Sequence, residues 1–434
     1  MSNDELKYLY QRHLCNMFGN IAALSLLSVP LAAAGKPQQP PLLTNVTVFD
    51  PPDNYTIPRT LYARAMALDC SDTLLATWEN YLPTANPEEP CPNNCPENPY
   101  IPIYQSFDQG ETWSERAKVY DQVNGWGLRY QPFLYEMTED IGDFAAGTLL
   151  LAANSIPADL SETKIDVYAS EDEGFTWSFV SSVARGGEAL PENDLEPVWE
   201  PFMLIYEGEL VLYYSDQRDP DNTLGQKMVH QTTTDLLNWG PIVDDVHYDN
   251  ATFRPGMPII SELPTGDWIL TYEFFGAEEG GFHVYYRISD SPLTFDAQPG
   301  IPILPADGSS PEGSPYNVWS PAGGENGTIV VSDGNNTPLY LNRALGAEDA
   351  WTTLEVPAGA SYTRSLLVLP NNPSRIMIVA GGVLGGEDNS VLVTTIDLEE
   401  ENGKGNKYGH RQHGKACWGK GKGRGRGKGR GHGW

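Results

Sequence analysis

Two glutamates sit where apolar strands meet polar positions, and together they could carry acid–base and nucleophilic chemistry. Glu200 lies in Val198-Trp199-Glu200-Pro201-Phe202, and such apolar flanks are expected to disfavour its charged form and raise its pKa. Glu273 closes the apolar run Trp268 to Tyr272, and Arg254 is expected to keep it ionised. Two carboxyls held in unlike environments across one cleft can cut a glycosidic bond. One protonates the leaving oxygen while the other attacks the anomeric carbon or activates water. The same residues could instead anchor strands or pair with arginines, so the elements that carry them decide.

Those elements announce themselves by repetition. Ser106-Phe107-Asp108-Gln109-Gly110-Glu111-Thr112-Trp113 and Ser170-Glu171-Asp172-Glu173-Gly174-Phe175-Thr176-Trp177 share the pattern Ser-x-Asp-x-Gly-x-Thr-Trp. Each joins two short alternating runs, as a hairpin turn does. The Asp accepts backbone N–H bonds, the Gly supplies a positive φ, and the Trp packs under the sheet. The pattern resembles the Asp-box of sialidases and other propeller-shaped glycosidases. Degenerate copies occupy Thr233 to Trp239, Ser289 to Phe295 and a segment ending at Trp351.

Six units of similar grammar follow one another. Their apolar second strands are expected at 73–78, 148–153, 209–214, 268–272, 328–331 and 375–380. Six four-stranded sheets placed radially make an all-β, six-bladed β-propeller, closed so that no long edge is left unpaired. Leu43–Phe49 alternates well and is expected to complete the last blade beside Ser390–Ile396. In such a ring the first strands line a channel, and ligands bind at one mouth. The residues opening the first strands and ending the second ones then form a polar ring. Its candidates for substrate binding are Arg64, Gln131, Asp216, Arg254, Trp319 and Arg364, beside the catalytic candidates Glu200 and Glu273.

The stretch from Trp199 to Phe274 resembles glycoside hydrolase family 93, the fungal exo-arabinanases. The resemblance is carried by Glu200-Pro201-Phe202, Leu212-Tyr213-Tyr214-Ser215-Asp216-Gln217-Arg218, Gly225 to Gln231, Arg254-Pro255-Gly256-Met257-Pro258 and Tyr272-Glu273. It extends over roughly residues 43–397. It implies a six-bladed propeller, a retaining mechanism and release of arabinobiose from α-1,5-arabinan, a plant cell-wall polysaccharide. By the same resemblance Glu200 matches the acid/base and Glu273 the nucleophile. Two rivals stay open. Arg64, Arg254 and Arg364 could clamp a carboxylate, as in a sialidase, although Leu61-Tyr62-Ala63-Arg64-Ala65 departs from the Phe/Tyr-Arg-Ile-Pro start of that family. A propeller that binds sugar without cutting it would use aromatic platforms and need no close carboxyl pair.

Charge narrows the partners. The chain carries a formal −31, yet residues 403–434 hold ten Lys/Arg and no acid, leaving 17 basic against 58 acidic groups elsewhere. A body this acidic repels nucleic acid and anionic membranes. The Gly-Lys-Gly-Arg tail, 401–434, cannot bury a core and is expected to be disordered. At the other end, Ile21 to Leu31 followed by Ala32-Ala33-Ala34-Gly35 reads as a secretory leader over 1–35, with Met17 an alternative start. The propeller is expected over 36–400. Sequons at Asn45, Asn54, Asn250, Asn326 and Asn335 fit glycosylation on a secretory route. No other segment is long and apolar enough to span a bilayer. Of five cysteines, Cys15 lies in the leader and Cys417 in the tail. Cys91 could pair with Cys95, or either with Cys70. No metal site or cofactor is expected, and the protein is expected to be a secreted monomer.

Overall fold

The computed structural model describes residues 41–69, 71–83, 99–219 and 223–399. The expectations for the leader 1–35, the tail 401–434, all five cysteines and most of the loop 84–99 lie outside the described residues. Within them, six four-stranded antiparallel sheets form the blades of a β-propeller. The innermost strands are Thr60–Ala67, Leu128–Glu136, Val198–Tyr206, Arg254–Glu262, Tyr316–Ser320 and Ser365–Val368, taken here as blades 1 to 6. Each packs against the innermost strand of the next blade, and the sixth against the first, so the ring closes.

The second strands carry the apolar weight that the sequence shows. Leu149–Ser155 is buried at every position, and so is Leu74–Asn80. A strand covered on both faces by neighbouring blades needs no polar alternation. Val46–Phe49 pairs with Val391–Asp397 as the outermost strand of blade 6, which fastens the two ends of the described chain in one sheet. Leu43 N–H adds a bond to Thr395 Oγ1 at 2.7 Å.

Both Asp-box turns are built alike. Ser106 Oγ donates to Asp108 Oδ1 at 2.8 Å and accepts Gly110 N–H at 2.9 Å. Asp108 also accepts Thr112 N–H at 2.9 Å and its hydroxyl, and Trp113 Nε1 donates to Gly110 O at 3.0 Å. Ser170, Asp172, Gly174, Thr176 and Trp177 repeat every one of these bonds. In blade 3 the turn survives with substitutes. Asp235 holds Leu237 and Asn238 N–H, and Leu236 takes a positive φ (63°) as Gln109 and Glu173 do after the Asp of the intact boxes (61° and 63°). These turns lie at the end of the ring away from the two glutamates.

Candidate active site

One irregularity recurs in every blade. Tyr62, Gln131, Glu200, Met257, Ser314 and Thr363 all have φ between 35° and 63°. In blades 1 to 4 they sit at breaks in register between first and second strands; in blades 5 and 6 they stand two residues before the first strand. A left-handed residue that is not glycine costs about 1–3 kcal/mol and persists only when its surroundings hold it. A bulge also re-aims the side chain it carries. In blades 2 to 6 the holding partners are visible, and they run from each of these blades to the one before. Gln131 N–H donates to Glu79 Oε1 (3.0 Å) and Glu200 N–H to Gln131 Oε1 (3.0 Å). Met257 N–H donates to Glu200 Oε2 (2.9 Å), Ser314 N–H to Glu273 Oε2 (2.6 Å), and Thr363 N–H to Ser314 Oγ (3.0 Å). The strained backbone thus clasps the blades together around three carboxyls.

Gly256 lies between two of them. It is the ladder partner of Glu273, and a Cβ placed on it would stand 3.3 Å from Glu200 Oε2 and 2.3 Å from Gln226 Nε2. Glycine here leaves room for the Gln226 amide and for the Glu200 carboxyl with its Ser215 donor. Ser215 Oγ accepts Met257 N–H at 3.2 Å and therefore directs its own hydrogen to Glu200 Oε2, at 2.6 Å. Glu200 so receives two donors on one oxygen, against one for Glu273. Burial raises the pKa of both, and for Glu200 the Ser215 and Met257 bonds and the charges of Arg254 and Arg64 offset part of that rise. Glu273 is pushed up to about 8 by burial and by the neighbouring Glu200 carboxyl. The sequence analysis expected a raised Glu200 and an ionised Glu273; both are raised, Glu273 against the pull of the Arg254 charge. Val198 and Phe202, the apolar flanks of Glu200, pack into the blade core, while the buried carboxyl itself meets Ser215 Oγ and Met257 N–H.

The third carboxyl, Glu79, is buried, accepts the Tyr81 hydroxyl at 2.8 Å, and is raised to about 7 by that burial. Beneath the site the Arg64 guanidinium lies 4.6, 5.4 and 5.0 Å from the rings of Tyr62, Phe133 and Tyr316. Tyr362, which sequence reasoning did not single out, is half-buried within electrostatic reach of both Glu200 and Glu273.

The other candidates for substrate binding divide. Gln131 stands in the site, but its side chain is committed to Glu200 N–H and to Asn154 Nδ2, at 2.9 Å. Arg254 stands there too. Asp216 is taken up by Arg218, which donates to both its oxygens at 2.8 Å. Arg364 donates to the carbonyls of Thr337, Gly359 and Pro338, so the three arginines do not assemble a carboxylate clamp. Trp319 lies at the opposite mouth, lining a cavity of about 520 Å³ with Ala67, Glu136 and Glu262. Ser320-Pro321 reads in the sequence as the opening of a first strand, beside Gln131-Pro132 and Glu200-Pro201; those two lie near the start of their strands, but Ser320 ends the strand Tyr316–Ser320. Of the sequons, Asn45, Asn54, Asn326 and Asn335 are exposed and Asn250 is half-buried. Asn335 is a neighbour of the site, because a Cβ on Gly313 would lie 3.9 Å from both Asn335 Oδ1 and Glu273 Oε2.

No protein-family model and no curated relative matches the chain. Solved structures do. An α-L-arabinanase of Penicillium chrysogenum, solved with arabinobiose, is 51% identical, over 83% of this chain and 99% of that one, with a TM-score of 0.78. The GH93 α-L-arabinofuranosidase of Fusarium graminearum, also solved with arabinobiose, is 48% identical over the same shares, with a TM-score of 0.77. The NanB sialidase of Streptococcus pneumoniae shares the fold at 11% identity, covering 82% of this chain and 71% of that one, with a TM-score of 0.52. Identity near one half across the whole length of two arabinan-class hydrolases makes this chain a glycoside hydrolase, and it belongs to glycoside hydrolase family 93.

Proposed function

We propose that the protein is a secreted, retaining exo-α-1,5-L-arabinanase that releases arabinobiose from arabinan, with Glu200 as nucleophile and Glu273 as acid/base. The observation that carries the roles is the unequal solvation of the pair. Glu200 is held by the Ser215 hydroxyl and Met257 N–H, which favour its carboxylate. Glu273 has a single N–H to favour its carboxylate, while its burial and the like charge of Glu200 beside it favour its acid form. The roles are thus the converse of those that the family resemblance implied.

In the first step Glu273 gives its proton to the departing glycosidic oxygen while Glu200 attacks the anomeric carbon, forming a glycosyl ester. In the second, the Glu273 carboxylate takes a proton from water as the water oxygen displaces Glu200, and the anomeric configuration is restored. The scheme requires carboxyls about 5–5.5 Å apart. Export rests on the leader at 1–35 and on the exposed sequons. Product analysis on linear arabinan beside sialyl-lactose tests the substrate. Arabinobiose as sole early product with the α configuration supports the reading, whereas free sialic acid or an inverted product contradicts it.

A further inference from the structure

Arg254, Phe275 and Phe282 are ladder partners and stand in a row across the first three strands of blade 4, from the channel outward. Residues directly opposite one another share a face of the sheet, and so do residues two apart on one strand. Glu273 is therefore on the same face as the row, and Phe275 lies about 6.8 Å further toward the mouth. The other face of this strand buries its aromatics. Tyr272 and Phe274 are inside, with Phe274 stacked on Tyr248 at 4.3 Å. Phe275 instead is 43% exposed, backed by the Phe282 ring at 5.0 Å and 35°.

Beside it is a donor that the protein leaves unfilled. Arg254 Nε is buried with no hydrogen-bond partner among the described residues, and its Nη2 has only a 3.5 Å contact with Gln226. The hairpin that carries Phe275 and Phe282 is fixed to the site. A Cβ on Gly281 would collide with Glu312, and two residues later Ser314 N–H holds Glu273. An apolar ring next to an unused N–H donor matches a sugar, which has a C–H face and hydroxyl edges.

We propose that Phe275, backed by Phe282 and flanked by Arg254, is a binding subsite for the sugar on the leaving-group side of the bond that is cut. The inference rests on the reading of Glu273 as the acid. A proton delivered to the departing oxygen places the departing sugar against Glu273, and the next position outward on that face is Phe275. The ligand is a neutral furanose unit of a polysaccharide. The exposed Glu278 and Glu279 on the adjoining turn oppose an anionic sugar.

The test compares kcat/KM on linear arabinan with that on an aryl arabinobioside, which has no sugar on the leaving side. Phe275→Ala is expected to lower the ratio of the two about 5- to 10-fold, and Phe275→Tyr to restore it. An unaltered ratio in Phe275→Ala, whether both activities hold or both fall together, overturns the subsite. A wild-type enzyme that does not cut arabinan overturns the reading beneath it, and the subsite as stated falls with that reading.

Discussion

Glu79 of blade 1 and Glu200 of blade 3 are joined through a single residue. Gln131 gives its backbone N–H to Glu79 Oε1 and takes the backbone N–H of Glu200 on its own Oε1, each at 3.0 Å. Gln131 and Glu200 are both left-handed, at φ 56° and 63°. Glu79 thus fixes the backbone from which Glu200 projects, without needing to meet a substrate.

Removing that support is expected to act on turnover. Glu79→Ala leaves Gln131 N–H buried without an acceptor, a loss of about 1–3 kcal/mol. We expect kcat to fall at least tenfold. Glu79→Gln keeps an acceptor oxygen and should recover most of the loss. Steady-state kinetics with melting curves for both variants check this; equal loss in the two would place the effect in charge rather than in the clasp.

The raised carboxyl of Glu273 gives stability a pH dependence. Its folded pKa, about 8, lies above the unfolded value, so the folded state binds more protons. The contribution is fully present below the unfolded pKa and is lost as pH rises through about 8. Glu273→Gln removes the titration and should melt higher than wild type above pH 8, with little difference near pH 4. A constant difference in Tm across that range would contradict the assignment. In the wild type, the alkaline limb of kcat/KM should reflect loss of the same proton.

Gly256→Ala should be nearly inactive while folding. The added methyl meets Gln226 Nε2 at 2.3 Å and crowds both Glu200 Oε2 and Ser215 Oγ at 3.3 Å, so the Gln226 amide must move and the hydrogen-bonded Ser215–Glu200 pair must give way. Circular dichroism beside kcat measurements separates misplacement from unfolding. Activity within threefold of wild type would mean that the pair does not depend on this close approach.

The Asp-box turns should behave in the opposite way. Asp172→Ala loses bonds to Ser170 and to both the N–H and hydroxyl of Thr176. Each bond to a charged acceptor contributes roughly 1.5–3 kcal/mol at most. A lower Tm with unchanged kcat is expected, since the turn is at the far end of the blade. A fall in kcat without a fall in Tm would tie the box to catalysis.

The blades were legible because their signals are local. The Asp-box residues bond within eight positions, and the buried second strands are continuous apolar runs. Glu200 and Glu273 could be found because each ends or opens such a strand. What faces them could not. Ser215, Met257 and Ser314 reach the carboxyls from other strands and neighbouring blades, through backbone N–H groups as often as side chains, and an N–H leaves no mark in a sequence. Arg364 and Asp216 were misplaced for the same reason, since their partners are loop carbonyls and Arg218 rather than the channel. Trp319 was misplaced because a Ser-Pro pair marks a strand's end as readily as its start.

Azide in place of water tests the central assignment most directly. Glu200→Ala and Glu273→Ala should each be inactive on arabinan. With an aryl arabinobioside and azide, Glu273→Ala should yield the α-glycosyl azide, formed on the Glu200 ester by two displacements. Glu200→Ala should yield only the β-azide, formed by one. The reverse pattern of azides, or turnover of arabinan by either variant alone, would contradict the account.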